Sequence, residues 1–287
     1  MKKWYKYFLD EEGSNESFRG RDLNFQDHQK AMEGYAAEIG YSSKEDFFKT
    51  YVEEETSSRI KIYDQFIRAH VDKDVQVLSI ASGRSANELF LVEDGYDVVC
   101  SDLDYISAYE ETKKLFPGYK FYQLDILKDP VDKLFNTILA LNLIYTFDDQ
   151  QLSVFFKNVN ASLKPKGQLI LEAGGSPDNW LTRFLHGPFL KVEIQAKRFY
   201  YKRKYGKQFG IITKDHGYRR TDKEIIQMAE KAGFRLLNKK TGAFLYGFYR
   251  SGLFYRMIQS SRICRKIFYE VGKLMPHVRM FNFQKIN

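Results

Sequence analysis

Residues 75–104 constrain this chain more than any other stretch. An apolar β-branched run, a glycine turn, a helix signal, a second apolar run and a carboxylate follow one another there without interruption. The short run 75–80 reads as a buried parallel strand and stops at Ala81-Ser82-Gly83. Ser85 followed three residues later by Glu88 has the spacing of a capping box, which predicts a helix opening just after Gly83 and closing near Asp94-Gly95. Residues 96–100 read as a second strand, with Asp102 at its carboxyl end, where open α/β sheets place their ligands. A carboxylate there can accept bonds from both hydroxyls of a ribose.

The pattern continues downstream. Residues 120–124 read as a third strand ending at a second carboxylate, Asp125, and 135–142 as a fourth. An amphipathic helix over 150–163 stops at Lys164-Pro165-Lys166-Gly167, and 168–173 follow as a fifth strand. The capping box Thr221/Glu224 opens a helix through Ala232, with Gly233 as its C-cap and 234–237 as a sixth strand. Residues 278–286 supply a seventh. The expected fold is α/β: a Rossmann-like, mostly parallel, seven-stranded sheet with helices on both faces.

Over about 75–237, and more weakly to the C-terminus, this order resembles the class I S-adenosylmethionine-dependent methyltransferase family. The segment 163–171, LKPKGQLIL, is similar to the turn that family places before its fifth strand. The resemblance implies a methyltransferase using S-adenosyl-L-methionine, with the seventh strand antiparallel. It puts Ala81, Ser82 and Gly83 against the methionine part, Asp102 and Leu103 at the ribose, Asp125 at the adenine amino group and Ile126 on the ring. Asn142 would face the donor, and Arg59 would meet the ligand carboxylate. Ser79, Ala81 and Ser85 stand where family members usually carry a first-strand acid and two outer glycines. Ala81-x-Gly83 followed by Asp102 also fits a nicotinamide-binding fingerprint.

Composition sets further bounds. At 287 residues with two cysteines, Cys100 and Cys264, the chain is long enough for a sizeable core and shows no disulfide framework. No uncharged apolar run is long enough to span a bilayer. No metal cluster is visible, and the amino-terminal stretch does not read as a signal peptide because Lys6 and Asp10 interrupt it. The expected location is cytoplasmic, at most peripheral to the inner membrane face. Residues 1–70 are expected to form a helical lid, in pieces over 27–39 and 43–69, ahead of a methyltransferase domain over 71–287.

The charge is unevenly placed. Residues 176–220 carry eleven Lys/Arg against three Asp/Glu, and 246–287 carry eight against one, so the rest of the +8 chain is net acidic. Both basic segments lie outside the cofactor core and therefore concern a substrate or partner. In the insertion 174–220, residues 191–201 and 208–216 are expected to pair as a β-hairpin. Its Lys197, Arg198, Lys202, Arg203 and Lys204 are candidates to bind an anionic acceptor. Residues 246–276 read as one basic amphipathic helix suited to a membrane surface or lipid carrier.

For the chemistry, His216 is the candidate general base with Asp215 beside it, and Tyr145 follows the fourth strand where acceptor and methyl group would meet. His186 is a second histidine candidate. The stretch 141–147, LNLIYTF, lacks the Asn-Pro-Pro-Tyr sequence of amino-methylating nucleic-acid enzymes in the resembled family, which favours O-methylation of a small molecule or sugar. Two other readings stay open. One is an inactive methyltransferase-like module binding nucleic acid or membrane; the other is an RNA methyltransferase, with Phe199, Tyr200 and Tyr201 stacking bases.

Overall fold

The computed structural model describes residues 2–11, 43–52, 57–106, 108–128, 130–177, 179–206, 209–249 and 251–286. Seven strands form the main sheet: β2 (Gln76–Ile80), β3 (Asp97–Asp102), β4 (Lys120–Gln123), β5 (Phe135–Ala140), β6 (Leu163–Ala173), β8 (Phe234–Gly242) and β9 (Val278–Lys285). Their order is β4-β3-β2-β5-β6-β9-β8, and only β9 runs antiparallel to its neighbours. The connection from β2 goes to β3 on one side while β5 lies on the other. That reversal opens a crevice at the carboxyl end of β2.

Alternation along the strands sends side chains to two cores. Leu78 and Ile80 join Phe155, Phe156, Ile225 and Ala229 on one face. These come from α5 (Asp149–Ala161) and α8 (Asp222–Lys231). Val77 and Val98 join Phe47, Phe66, Leu89 and Tyr109 on the other. That layer is α1 (Lys44–Val52), α2 (Ser57–Arg68), α3 (Ala86–Glu93) and α4 (Ala108–Leu115). The caps at Asp148 and Thr221 are complete capping boxes, as the Thr221/Glu224 spacing predicts.

Four sequence expectations are corrected. Residues 191–201 are not a hairpin strand but part of a helix, α7 (Leu190–Tyr205), closed by Gly206 in the left-handed conformation. The strand after it, β7 (Phe209–Arg219), pairs antiparallel with β1 (Lys2–Glu11) at the other end of the chain. The amino-terminal region is thus not purely helical; the helix expected over 27–39 lies outside the described residues. The basic segment 246–276 is two helices, α9 (Gly252–Ser260) and α10 (Arg262–Lys273), separated at Ser261, whose hydroxyl caps α10. Finally, Ser85 makes no side-chain cap for α3.

No helix among the described residues is long and apolar enough to cross a membrane. A short α6 (Trp180–Phe184) runs through a π-helical turn (Leu185–Phe189) into α7.

Candidate functional site

The turn after β2 holds alternate residues, Ala81, Gly83 and Ser85, at φ of 54°, 57° and 58°. Left-handed backbone is natural for glycine and costs other residues about 1 kcal/mol or more each, a strain that persists where surrounding structure enforces it. Enforcement is visible. Ser82 N–H donates to the Ser101 carbonyl at 2.8 Å, and Gly83 N–H donates to Asp102 Oδ2 at 2.8 Å. The Gly83 carbonyl accepts from the Tyr109 hydroxyl at 3.1 Å. Asp102 also accepts from Leu103 N–H through Oδ1 at 2.7 Å.

Beneath this turn lies a group that spacing alone assigned to a helix cap. Glu88, 2% exposed, accepts from the Ser79 hydroxyl at 2.6 Å. Burial raises its carboxyl to about 7, against the lowering effect of the Ser79 bond, with Asp102 adding to the rise. Its Oε2 is buried without a hydrogen-bond partner among the described residues. Ser85 instead bonds Ser82 and the Tyr119 hydroxyl, each at 3.2 Å.

A second cluster forms at the carboxyl ends of β5 and β6. Asn142, at φ 54°, donates its N–H to Glu172 Oε2 at 3.2 Å, and its side-chain Oδ1 accepts from Tyr63 of α2 at 3.3 Å. Glu172 is 3% exposed, and burial raises its carboxyl to about 7 while Arg59 and Arg279 pull it down. Arg59 lies over the Tyr246 ring at 4.7 Å. Its Nε is buried and lacks a hydrogen-bond partner among the described residues. Tyr145 joins the cluster through its backbone, whose carbonyl accepts from Tyr218 N–H at 2.6 Å. That bond brings the end of β7, where Asp215 and His216 lie, to the loop after β5. The side chains of Asp215, His216 and His186 are outside the described residues.

Asp125 caps its own turn, accepting from Leu127 N–H at 3.1 Å and pairing with Lys128 at 3.3 Å. Ile126 packs into the core below. The basic candidates of the insertion are exposed along α7. Lys197 pairs with Glu193 at 2.9 Å, and Lys204 sits over the rings of Tyr200 and Tyr205.

Sequence reasoning did not single out Glu172, Tyr63 or Arg220. Arg220 is a buried clamp: its guanidinium bonds the Ile144 carbonyl at 3.2 Å, the Phe147 carbonyl at 2.7 Å and Asp149 at 2.8 Å. Its own carbonyl accepts from Arg279 at 2.8 Å.

Several solved structures share the fold of the seven-stranded sheet and its helices. The Burkholderia thailandensis 1,6-didemethyltoxoflavin-N1-methyltransferase, bound to 1,6-didemethyltoxoflavin and S-adenosylhomocysteine, matches with a TM-score of 0.53 and 13% identity over 88% of this chain and 90% of that one. The chain has the class I S-adenosylmethionine-dependent methyltransferase fold. Magnesium protoporphyrin IX methyltransferase from Synechocystis PCC 6803 matches this methyltransferase fold with a TM-score of 0.52 and 11% identity, covering 90% of this chain and 97% of that one. A glycopeptide N-methyltransferase complexed with sinefungin gives 0.51 and 12%, covering 80% and 94%. No family model matches the sequence, and no curated protein matches it. The likeness therefore lives in the methyltransferase fold rather than in sequence.

Proposed function

We propose that this chain is an S-adenosyl-L-methionine-dependent methyltransferase acting on a small-molecule or sugar hydroxyl. The observation that carries the reading is the turn 81–85, which keeps three left-handed residues and is tied through Gly83 N–H to Asp102. A backbone held in that strained form beside a ribose-competent carboxylate supports a nucleoside ligand. The residues also fit the rest of the cofactor. Arg59 Nε and Glu88 Oε2 are buried, lack hydrogen-bond partners among the described residues and have opposite polarity. A zwitterionic amino-acid end carries a carboxylate for the first and an ammonium for the second. Asp102 and Leu103 would hold the ribose, and Asp125 and Ile126 would define the adenine side.

When bound, the cofactor supplies an electrophilic methyl group. The chain's own task is to align an acceptor and take its proton, and alignment alone is worth roughly 7–11 kcal/mol in favourable cases. Asn142 would face the donor and Tyr145 the acceptor, His216 with Asp215 is the candidate base, and Glu172 is a second proton-accepting group there. Lys197, Arg198, Lys202, Arg203 and Lys204 favour an acceptor that is anionic or held on an anionic or lipid-linked carrier. The structural neighbours named for toxoflavin-type and glycopeptide substrates agree with a small acceptor rather than RNA. A cytoplasmic location belongs to the same reading.

Calorimetric titration with S-adenosylmethionine, S-adenosylhomocysteine and NAD tests it. The first two are expected to bind and NAD not to. Preference for NAD, or no binding of any of the three, overturns the proposal.

A further inference from the structure

Helical parts of the two basic segments, 179–206 and 251–275, are separated by β7, α8 and β8 in sequence and meet in one helical cap. Leu185, Phe248, Ile258 and Met275 form a small buried core of their own, separate from the two cores of the sheet. Phe189 stacks on Phe254 with ring centroids 4.9 Å apart. Gly252 N–H donates to Glu193 of α7 at 2.9 Å, joining the start of α9 to that helix. The Asn179 side chain donates to the Leu274 carbonyl, joining the start of α6 to the end of α10.

The outside of this cap is both cationic and apolar. Its residues 179–206 and 251–275 hold twelve Lys/Arg against two Glu. Among the described residues, they also hold thirteen of the eighteen large hydrophobic side chains that are exposed, including Trp180 and Ile263, each 73% exposed. Scattered exposed hydrophobics are ordinary, but such a concentration on one substructure marks an interaction face. Ile263, Ile267 and Leu274 are 73%, 56% and 67% exposed and lie near one side of α10. Arg262 and Lys266 flank them on the outer side of the helix, and Arg265 lies further round it.

We infer that this cap is a docking face for an anionic membrane surface. Charge complementarity selects the occupant. A second copy meeting the same face would set like charges against each other, as two-fold contacts require. Aliphatic side chains such as Ile263, Ile267 and Leu274 do not stack on bases, so nucleic acid would satisfy the charge and the aromatic rings but leave these aliphatic groups in water. A bilayer with anionic headgroups satisfies both, taking the apolar side chains at the acyl boundary and the basic ones at the headgroups. The inference stands on the cap alone and does not depend on methyl transfer at the sheet edge.

The test uses the full chain without cofactor or acceptor, sedimented with vesicles of phosphatidylcholine alone and of phosphatidylcholine mixed with phosphatidylglycerol. The wild type is expected to bind the anionic vesicles and not the neutral ones. Arg262→Gln, Arg265→Gln and Lys266→Gln together should lower partitioning about a hundredfold, because each basic side chain at an anionic leaflet contributes about fivefold. Ile263→Ser with Ile267→Ser leaves charge unchanged and should also weaken binding, by about tenfold or more. Thermal melting checks that each variant is folded; should the serine pair unfold, Trp180→Ala reports on the same apolar contact. Failure of the wild type to bind anionic vesicles overturns the inference. So does a serine pair that binds like wild type, which would reduce the contact to ion exchange. Concentration-dependent self-association that the serine pair abolishes would assign the face to a second copy, and displacement from anionic vesicles by RNA at equal charge would assign it to nucleic acid.

Discussion

The Ser79 hydroxyl donates to Glu88 at 2.6 Å, so a buried carboxylate stands at the carboxyl end of β2 although the strand itself carries none. The side chain reaches it from the first turn of α3, nine residues later in sequence. Charge-assisted bonds are worth roughly 1.5–3 kcal/mol. Glu88→Gln is therefore expected to weaken S-adenosylmethionine binding by about tenfold to a hundredfold. It should leave 5′-methylthioadenosine, which lacks the amino-acid end, nearly unchanged. Calorimetry with both ligands separates the outcomes: equal losses would make Glu88 a structural support of the turn, and no loss would remove it from the site.

Glu88 and Glu172 also make a prediction about pH. Burial raises both carboxyls to about 7 in the folded chain, whereas an unfolded glutamate titrates at about 4.3. Near Glu88 the Ser79 bond opposes the rise and Asp102 reinforces it; near Glu172, Arg59 and Arg279 oppose it. Between about pH 4.3 and 7 the folded state holds protons that the unfolded state has released. The stabilising contribution is thus complete below the unfolded value and lost as pH rises through 7, up to about 4 kcal/mol per group. Melting of the ligand-free chain should show a lower Tm at about pH 8 than at about pH 5, and Glu88→Gln with Glu172→Gln should flatten that difference. A double variant with the wild-type slope would sink the assignment.

The strand and turn signals that proved reliable are local. β2, its turn and Asp102 follow from a β-branched run, one glycine and one carboxylate, and the Thr221/Glu224 box opens α8 as its spacing predicts. Ser85/Glu88 has the same spacing but fails, because Ser85 takes a left-handed φ and Glu88 turns inward to Ser79. α7 was misleading for another reason. Phe199, Tyr200 and Tyr201 favour strands, but the surrounding Lys, Arg, Gln and Ala favour a helix, and Gly206 closes it. The partner of β7 was illegible, since β1 lies at the opposite end of the chain and a non-local pairing leaves no mark in nearby sequence. Arg219, Arg220 and Arg279 entered the count of basic residues as surface charge, yet all three are buried. Only the tertiary structure separates clamps from decoration.

Arg220 illustrates the cost of removing such a clamp. It is 3% exposed and satisfies the carbonyls of Ile144 and Phe147 while pairing with Asp149. Arg220→Ala leaves those carbonyls without their donor inside the protein, at about 1–3 kcal/mol for each group. The expected loss is about 3 kcal/mol or more in denaturant unfolding. Arg220→Lys should recover only part of it, because an ammonium cannot reproduce the planar fork that reaches three acceptors. Full rescue by lysine would show that charge, not geometry, holds the loop.

Gly217 fixes how the end of β7 meets the loop after β5. Its φ is +88°, and a Cβ built there would fall onto the Tyr145 carbonyl. The neighbouring Tyr218 N–H donates to that same carbonyl at 2.6 Å. Gly217→Ala therefore combines left-handed strain of about 1–3 kcal/mol with a backbone clash that only displacement can relieve. Displacement would separate β7, with Asp215 and His216, from Tyr145, while the turn 81–85 and Asp102 lie on other strands. The expected result is a lower Tm and loss of acceptor turnover, with S-adenosylmethionine affinity falling far less than turnover because the turn 81–85 and its bond to Asp102 are not displaced. An alanine variant that melts and turns over like wild type would show that β7 does not position the acceptor side.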